Sequence, residues 1–423
     1  MQILASGCGF LRDQAFSIMF PFTEGSPAVA SIYIAAFRPS DLLFQVLVMS
    51  CISVTLVPFL SAHQAHTRRN EMNDVLTSSI VILSAIFGCI AIVLFALFPS
   101  IAPYLVAYRG ASLDLYVTMG RIALVTNFLF IAGNAFGQYL LAEESFLMYG
   151  LTPIVWAAST ILGIYFLTPQ IGVLGPIVGT LIGTILYVVL RFITAVRKGY
   201  RFALHRQSIL HPELLAMSIM LLPRMAALGA LQLQLLLLDR LASQFSDHAI
   251  AINQFASNVE SVVPGIIGIS IAQAVFARLS RHGARGENDE LQGTLRRSIV
   301  MNLALSLPGA VCIGLAAPLI AWFMHIDPSA KSTFMNALIL YCVSIPFEST
   351  NHVILRGFYA RKHTTIPAVS SVLSSAFAVL SGYGFAAKLG MMTLPLAYGV
   401  GQVSQSTFLS IGHMLFEQRR TRG

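Results

Sequence analysis

The stretch VLTSSIVILSAIFGCIAIVLFALF, Val75 to Phe98, runs through 24 residues without a charged side chain. About 20 consecutive apolar residues cross the hydrocarbon core of a bilayer as a helix, so this segment is read as a membrane span. A second, SIVMNLALSLPGAVCIGLAAPLIAWFM from Ser298 to Met324, reads the same way. The rest of the chain agrees: 56% of its 423 residues are hydrophobic, 10% are charged, and the mean hydropathy is +0.75. A soluble domain carries about 25% charged residues, which excludes that class. The expectation is an all-α polytopic membrane protein.

Hydrophobic runs between polar breaks give about twelve helices, near 2–22, 28–62, 75–99, 115–141, 146–167, 172–196, 213–243, 249–279, 295–325, 332–360, 364–387 and 392–416. Lys and Arg concentrate in alternate connections, at Arg68 and Arg69, from Arg191 to Arg206, from Arg278 to Arg297, at Arg361 and Lys362, and from Arg419 to Arg422. The opposite connections hold only Arg109, Lys331 and Lys388. Positive charge stays on the cytoplasmic side, so both termini are expected there. The net charge of +8 is topological, and nucleic acid is not an expected partner. Cys8, Cys51, Cys89, Cys312 and Cys342 all lie in apolar runs without metal-ligand spacing and read as small core residues. No metal site, catalytic nucleophile or removable signal peptide is expected.

Sliding the chain by about 218 residues lays Phe37 of AAFRPSDLLFQ on Phe255 of QFASNVESVVP. Two halves of six helices follow, parallel repeats because six is even: an N-lobe over 1–196, a cytoplasmic linker over 197–212 and a C-lobe over 213–423. Transporters of this kind hold substrate between the lobes. GPIVGTLIG, Gly175 to Gly183, has the small-residue spacing of helix packing, not of a nucleotide loop.

The charges left at depth are the candidate functional residues. Arg12 and Arg38 each sit about ten residues from either interface, where a charge costs at least about 2.5–3.5 kcal/mol and normally faces a partner or a wet cavity. Arg12 shares a helix face with Cys8, Gly9 and Ala15, while Asp13 points elsewhere, so the adjacent pair is not expected to close on itself. Arg38 and Asp41 are three apart and can pair, and Pro39 between them disturbs the helix. In the second half, Asn258 and Glu260 precede Pro264 and Gly265, Glu348 follows Pro346, and Asp239 neighbours Arg240. Arg121, Arg240, Arg224 and Arg356 lie near helix ends and can snorkel to the headgroups; Arg121 and Arg224 are kept as candidate substrate contacts.

The segment GFLRDQAFSIMF…FTEGSPAVASIYIAAFRPSDLLFQ…LVPFLSAH (residues 9–63) resembles the opening of the MurJ/MviN family, lipid II flippases of the multidrug/oligosaccharidyl-lipid/polysaccharide exporter superfamily. GRIALVTNFLFIAGNAFGQYLLAEESFLMYGLTPIV (120–155) and LLDRLASQFSDHAIAINQFASNVESVVPGIIGISIAQAVFARLSRH (237–282) are similar to further family segments. The resemblance implies a bacterial cytoplasmic-membrane flippase, expected as a monomer, that binds an undecaprenyl-pyrophosphate-linked glycan and moves it by alternating access. Arg12 then falls on a functional family arginine, Arg38 on a position that is often basic, Asp41 where a polar residue follows, and Arg121 and Asp239 on recurrent positions. Ile18, Ser31, Phe44 and Asn258 stand where the family carries further charged residues, and the last two helices that many members add are not expected. On this reading Arg12 and Arg38 hold the pyrophosphate, and Asp41 and Asn258 contact the headgroup. Glu260 is a further candidate substrate contact, and Asp13, Asp239, Glu348, Pro39, Pro264 and Gly265 are structural or coupling residues. No cofactor is expected, but coupling to the membrane potential, H+ or Na+ is; the alternatives are a flippase for another undecaprenyl-linked oligosaccharide or a cation-coupled multidrug exporter.

Overall fold

A computed structural model describes residues 2–23, 25–52, 69–202, 221–361 and 363–421. The described chain is helical, in the order α1 (Gln2–Met19), α2 (Val29–Leu43), α3 (Arg69–Leu105), α4 (Ala111–Ala142), α5 (Phe146–Leu162), α6 (Gly175–Arg197), α7 (Leu221–Ala242), α8 (Ala249–Glu260), α9 (Ile269–Arg285), α10 (Asn288–Phe323), α11 (Pro328–Cys342), α12 (Ile345–Ala360), α13 (Thr365–Leu389) and α14 (Thr393–Thr421). Helices α8 and α9 form one pass through a π-helical turn, Pro264–Gly268, and α11 and α12 form one pass across a break at Val343 and Ser344. The stretches Phe146–Arg197 and Thr365–Met414 instead reverse at Gly172 and Gly390, whose φ values of 64° and 53° suit a residue without Cβ. The described helices therefore make two sets of six passes, α1–α6 and α7–α14.

The inside-out distribution of polarity identifies the solvent. Ile92, Leu315, Leu319, Trp322 and Leu380 are each at least 64% exposed. Buried positions include Asn127, Thr160, Thr180, Arg191, Glu260, Asn302 and Asn351. Apolar surface outward and bonded polar groups inward is the arrangement lipid favours, because water is absent to satisfy stray donors.

The chain divides into two compact units, Met1–Pro21 with Gly25–Gln232, and Phe22–Glu24 with Leu233–Gly423. The division falls inside α7; of the 197–212 linker, residues 203–212 lie outside the described residues. In the first unit α1 packs on α5, α2 on α4, and α6 on both α4 and α5. Glycines set the closest approaches: a Cβ on Gly179 would lie 2.6 Å from the Cα of Gly163, and one on Gly183 2.7 Å from the Cβ of Ser159. The small-residue spacing in α6 thus seats it against the end of α5. In the second unit α13 pairs with α14, and α12 packs on α9, α10 and α14.

The internal repeat survives in backbone detail. Helix α2 runs on through Pro39 and then loosens into a π-helical segment, Phe44–Met49; the corresponding pass of the second unit loosens at Pro264–Gly268. The irregularity expected at Pro39 is displaced by about a turn, and the clamp described below holds α2 regular there. π segments recur at functional sites because they re-aim side chains without ending a helix.

Candidate functional site

In the first unit Arg12 and Asp13 close on each other. Arg12 Nη2 donates to Asp13 Oδ1 at 2.9 Å and Nε donates to the same oxygen at 3.2 Å. This corrects the expectation that adjacent residues on a helix would stay apart: the arginine side chain is long enough to turn along the helix surface and reach the short carboxylate beside it. Asp13 is 1% exposed and the Arg12 side chain 19%. An arginine carries five N–H donors. Two serve Asp13, and the guanidinium edge that remains accessible keeps donors for an external acceptor.

A polar seam surrounds the pair. Tyr33 of α2 stacks on Phe16 with ring centroids 4.9 Å apart, and its hydroxyl is 2.9 Å from Thr180 Oγ1. Thr180 lies 3.0 Å from Thr160 Oγ1 and donates to Pro176 O at 2.9 Å. Its one hydrogen goes to that carbonyl, so Tyr33 donates to Thr180, while Thr160 Oγ1 donates to Trp156 O at 3.3 Å. Helices α2, α5 and α6 are joined by this chain of hydroxyls.

Two turns past Tyr33, Asn127 of α4 grips α2 beside Pro39. Its Nδ2 donates to Ser40 Oγ at 2.9 Å and to Asp41 Oδ1 at 2.8 Å. Arg38 acts on the Asp41 carboxylate electrostatically. Asp41 opens onto a cavity of about 260 Å³ with two kinds of wall. Gln45, Asn127 and Asn134 supply amides, and Phe44, Phe130, Trp156 and Tyr187 supply aromatic surface. The Phe130 ring meets Trp156 and Tyr187 edge-on at 5.8 and 5.2 Å, so the aromatic wall is fixed by its own packing. Carboxylate, amides and aromatic faces together suit a polyhydroxylated ligand.

Arg121 is held on the neighbouring helix: Nε donates to Phe95 O at 3.0 Å and the guanidinium lies 4.8 Å from the Phe95 ring centroid. Arg224 is exposed on α7. In the second unit Asn258 accepts from Gln254 Nε2 at 2.8 Å, Asp239 is buried on α7, Pro264 opens the π-helical turn and Gly265 has open space where a Cβ would stand. Ser344 Oγ donates to Glu260 Oε1 at 3.0 Å, and Tyr398 OH donates to Glu348 Oε2 at 2.6 Å.

Arg191 is the residue that charge counting misplaces. Grouped above with the basic connection after α6, it is instead 2% exposed inside the first unit. Nε donates to Thr152 Oγ1 at 2.8 Å, Nη1 to Gly133 O at 2.9 Å and Nη2 to Tyr149 O at 3.1 Å. Its guanidinium also lies 4.1 Å from the Tyr187 ring centroid, behind the aromatic wall. The sequence signal for this was Gly137 on α4, which clears the room the guanidinium occupies, while Gly133 makes room for Tyr187 beside it.

The family model for the lipid II flippase MurJ matches residues 23–417. The chain belongs to the lipid II flippase MurJ family. It is 27% identical over 381 residues to a probable lipid II flippase MurJ of Bdellovibrio bacteriovorus, covering 87% of this chain and 71% of that one. It is 21% identical over 430 residues to the lipid II flippase MurJ of Burkholderia cenocepacia, covering 97% and 81%. Among solved structures, a lipid II flippase MurJ in an inward closed conformation superposes with a TM-score of 0.81 at 19% identity, over 97% of this chain and 86% of that one. An inward-facing multidrug resistance transporter of the MATE family, in the MOP superfamily, gives 0.82 at 15% identity over 100% and 96%. As a MurJ family member the chain is a multi-pass protein of the bacterial inner membrane, a transporter and not an enzyme.

Proposed function

We propose that this MurJ family member carries lipid II, a lipid-linked peptidoglycan precursor, from the cytoplasmic to the outer leaflet by alternating access, working as a monomer with both termini in the cytoplasm. The observation that carries the reading is the family match over residues 23–417 together with a charged arginine at mid-depth in α1. Arg12 offers its accessible guanidinium edge to the pyrophosphate, where charge-assisted bonds to phosphate oxygens are strongest, and Asp13 fixes its direction. Arg38 adds a second positive charge beside the cavity. Asp41, Gln45, Asn127 and Asn134 bond sugar hydroxyls against the aromatic wall. Arg121 and Arg224 act nearer the interfaces.

The test is complementation of a bacterium depleted of its own lipid II flippase, with wild type and Arg12→Ala compared at equal membrane levels. Rescue by wild type alone is expected. Rescue by both overturns the assignment of Arg12, and rescue by neither, with normal insertion, overturns lipid II as the substrate. A second reading, a flippase for another undecaprenyl-linked oligosaccharide, is favoured by Ile18, Ser31, Phe44 and Asn258, which alter the charge around the headgroup without touching the Arg12–Asp13 pair.

A further inference from the structure

Glu260, at the end of α8, is fully buried, yet its Oε2 meets no hydrogen-bond donor. What it faces is a second carboxyl group: Glu348 of α12 lies within hydrogen-bonding reach. Two ionised carboxylates held together inside the protein repel, and a buried acceptor without a donor adds to the cost. One proton removes both penalties, because an O–H on one carboxyl is the missing donor for the other.

We propose that Glu260 and Glu348 form a carboxyl–carboxylate pair that binds a single proton and serves as the proton-coupling site of the second unit. The proton resides on Glu260 Oε2 and is donated to Glu348. Glu348 is the ionised member, since it accepts from Tyr398 OH at 2.6 Å, a length typical of a hydroxyl bonded to a carboxylate anion. Glu260 Oε1 takes its bond from Ser344, whose hydroxyl is shared with Tyr341 O at 2.6 Å.

A proton fits better than a metal cation. Tyr398 directs its hydrogen, not a lone pair, toward Glu348, and Asn253 Oδ1 accepts from Tyr341 OH at 3.0 Å. The other titratable groups acting on this cluster are Tyr341 and Cys342 from α11, His352 and Arg356 on α12 itself, and Asp239 from α7.

The location gives proton loading a mechanical consequence. A Cβ on Gly268, in the π-helical turn that follows α8, would lie 2.8 Å from the Cα of Ser349, the residue after Glu348. Loss of the proton makes the two carboxyls repel about two turns before the Gly268–Ser349 contact, so protonation state and the packing of the π-helical turn on α12 are linked. The coupling role rests on the transporter reading; the proton site does not, and its test needs no transport.

Purified full-length protein in nanodiscs is titrated with pH while the infrared C=O stretch of protonated carboxyl groups is recorded, for wild type, Glu260→Gln, Glu348→Gln and Tyr398→Phe. The wild type is expected to keep one buried protonated carboxyl at neutral pH, lost in Glu260→Gln and shifted in frequency in Glu348→Gln. Tyr398→Phe, which removes only a hydroxyl and so guards against misfolding of the charge variants, is expected to tighten proton binding at least tenfold, because the ionised Glu348 loses its donor. A band unchanged by Glu260→Gln, or no protonated carboxyl at neutral pH, overturns the proposal. A band abolished by Na+ at fixed pH makes the pair a cation site instead and overturns it too.

Discussion

Replacing Gly137 by alanine puts helix propensity and packing in direct opposition. In an unobstructed helix interior Gly→Ala stabilises by about 1 kcal/mol. At position 137 the new Cβ would collide with Nη1 of Arg191 and stand 2.9 Å from its Cζ. Arg191 has nowhere to retreat, being 2% exposed and fixed by three donated bonds. Moving Nη1 breaks at least its bond to Gly133 O, and a tilt of the guanidinium breaks the one to Tyr149 O as well. Hydrogen bonds from a charged group are worth about 1.5–3 kcal/mol each. One or two lost, less the propensity gain, leave a net destabilisation of about 0.5–5 kcal/mol. The assay is the midpoint of thermal unfolding in detergent, followed by fluorescence-detected size exclusion. Gly314→Ala on α10 is the control, because nothing lies within 4 Å of its Cβ position. That variant is expected at or above the wild-type midpoint and Gly137→Ala well below it. In an Arg191→Met background the Gly137→Ala penalty is expected to shrink, since the clash partner has changed. A Gly137→Ala midpoint equal to that of Gly314→Ala would refute the account of Arg191 as a core ligand of α4.

Asn127→Ala removes the donor shared by Ser40 and Asp41 and is expected to cost about 2 kcal/mol, because one of the lost bonds goes to a carboxylate; an unchanged unfolding midpoint would show that α2 needs no clamp at Pro39. His248, in the turn before α8, donates through Nε2 to Thr23 O at 3.1 Å, and burial holds its pKa below the ordinary histidine value. The unfolded chain therefore takes up a proton first as pH falls, so the contribution of this group to stability is complete above about pH 6.5 and declines below it. Unfolding midpoints measured between pH 7.5 and 5 are expected to fall less steeply for His248→Gln, and equal slopes would remove His248 from the acid response.

The architecture was legible because each determinant is local or periodic. Uncharged runs such as 75–98 mark spans by length alone, and the register of about 218 residues carries not only Phe37 onto Phe255 but the π-helical loosening of the second pass onto that of the eighth. The individual charges were less legible, since a side chain's reach is not a property of helical spacing. Spacing places Arg12 and Asp13 on different faces, whereas the guanidinium travels along the helix to its neighbour. Position in the sequence puts Arg191 with loop charges, whereas the gap left by Gly137 admits it to the interior. The cavity beside Asp41 was invisible for a related reason: its walls come from α2, α4, α5 and α6, and no local motif announces such a convergence.

Charge balance in the first unit bears on how a dianionic headgroup is held. Arg12 is matched by Asp13, and Arg38 acts on the Asp41 carboxylate, so neither arginine presents an uncompensated charge. A pre-paired arginine keeps most of its geometric specificity, because its unused N–H groups still point in fixed directions, while the carboxylate reduces the cost of holding the cation at depth in the empty state. In the proposed function such a site would trade affinity for easier release. A flippase must let its cargo go in the opposite leaflet, and tight phosphate binding would slow that step. Under the proposed function, anion recognition rests on the Arg12–Asp13 pair and glycan recognition on the amides and aromatic rings beside Asp41.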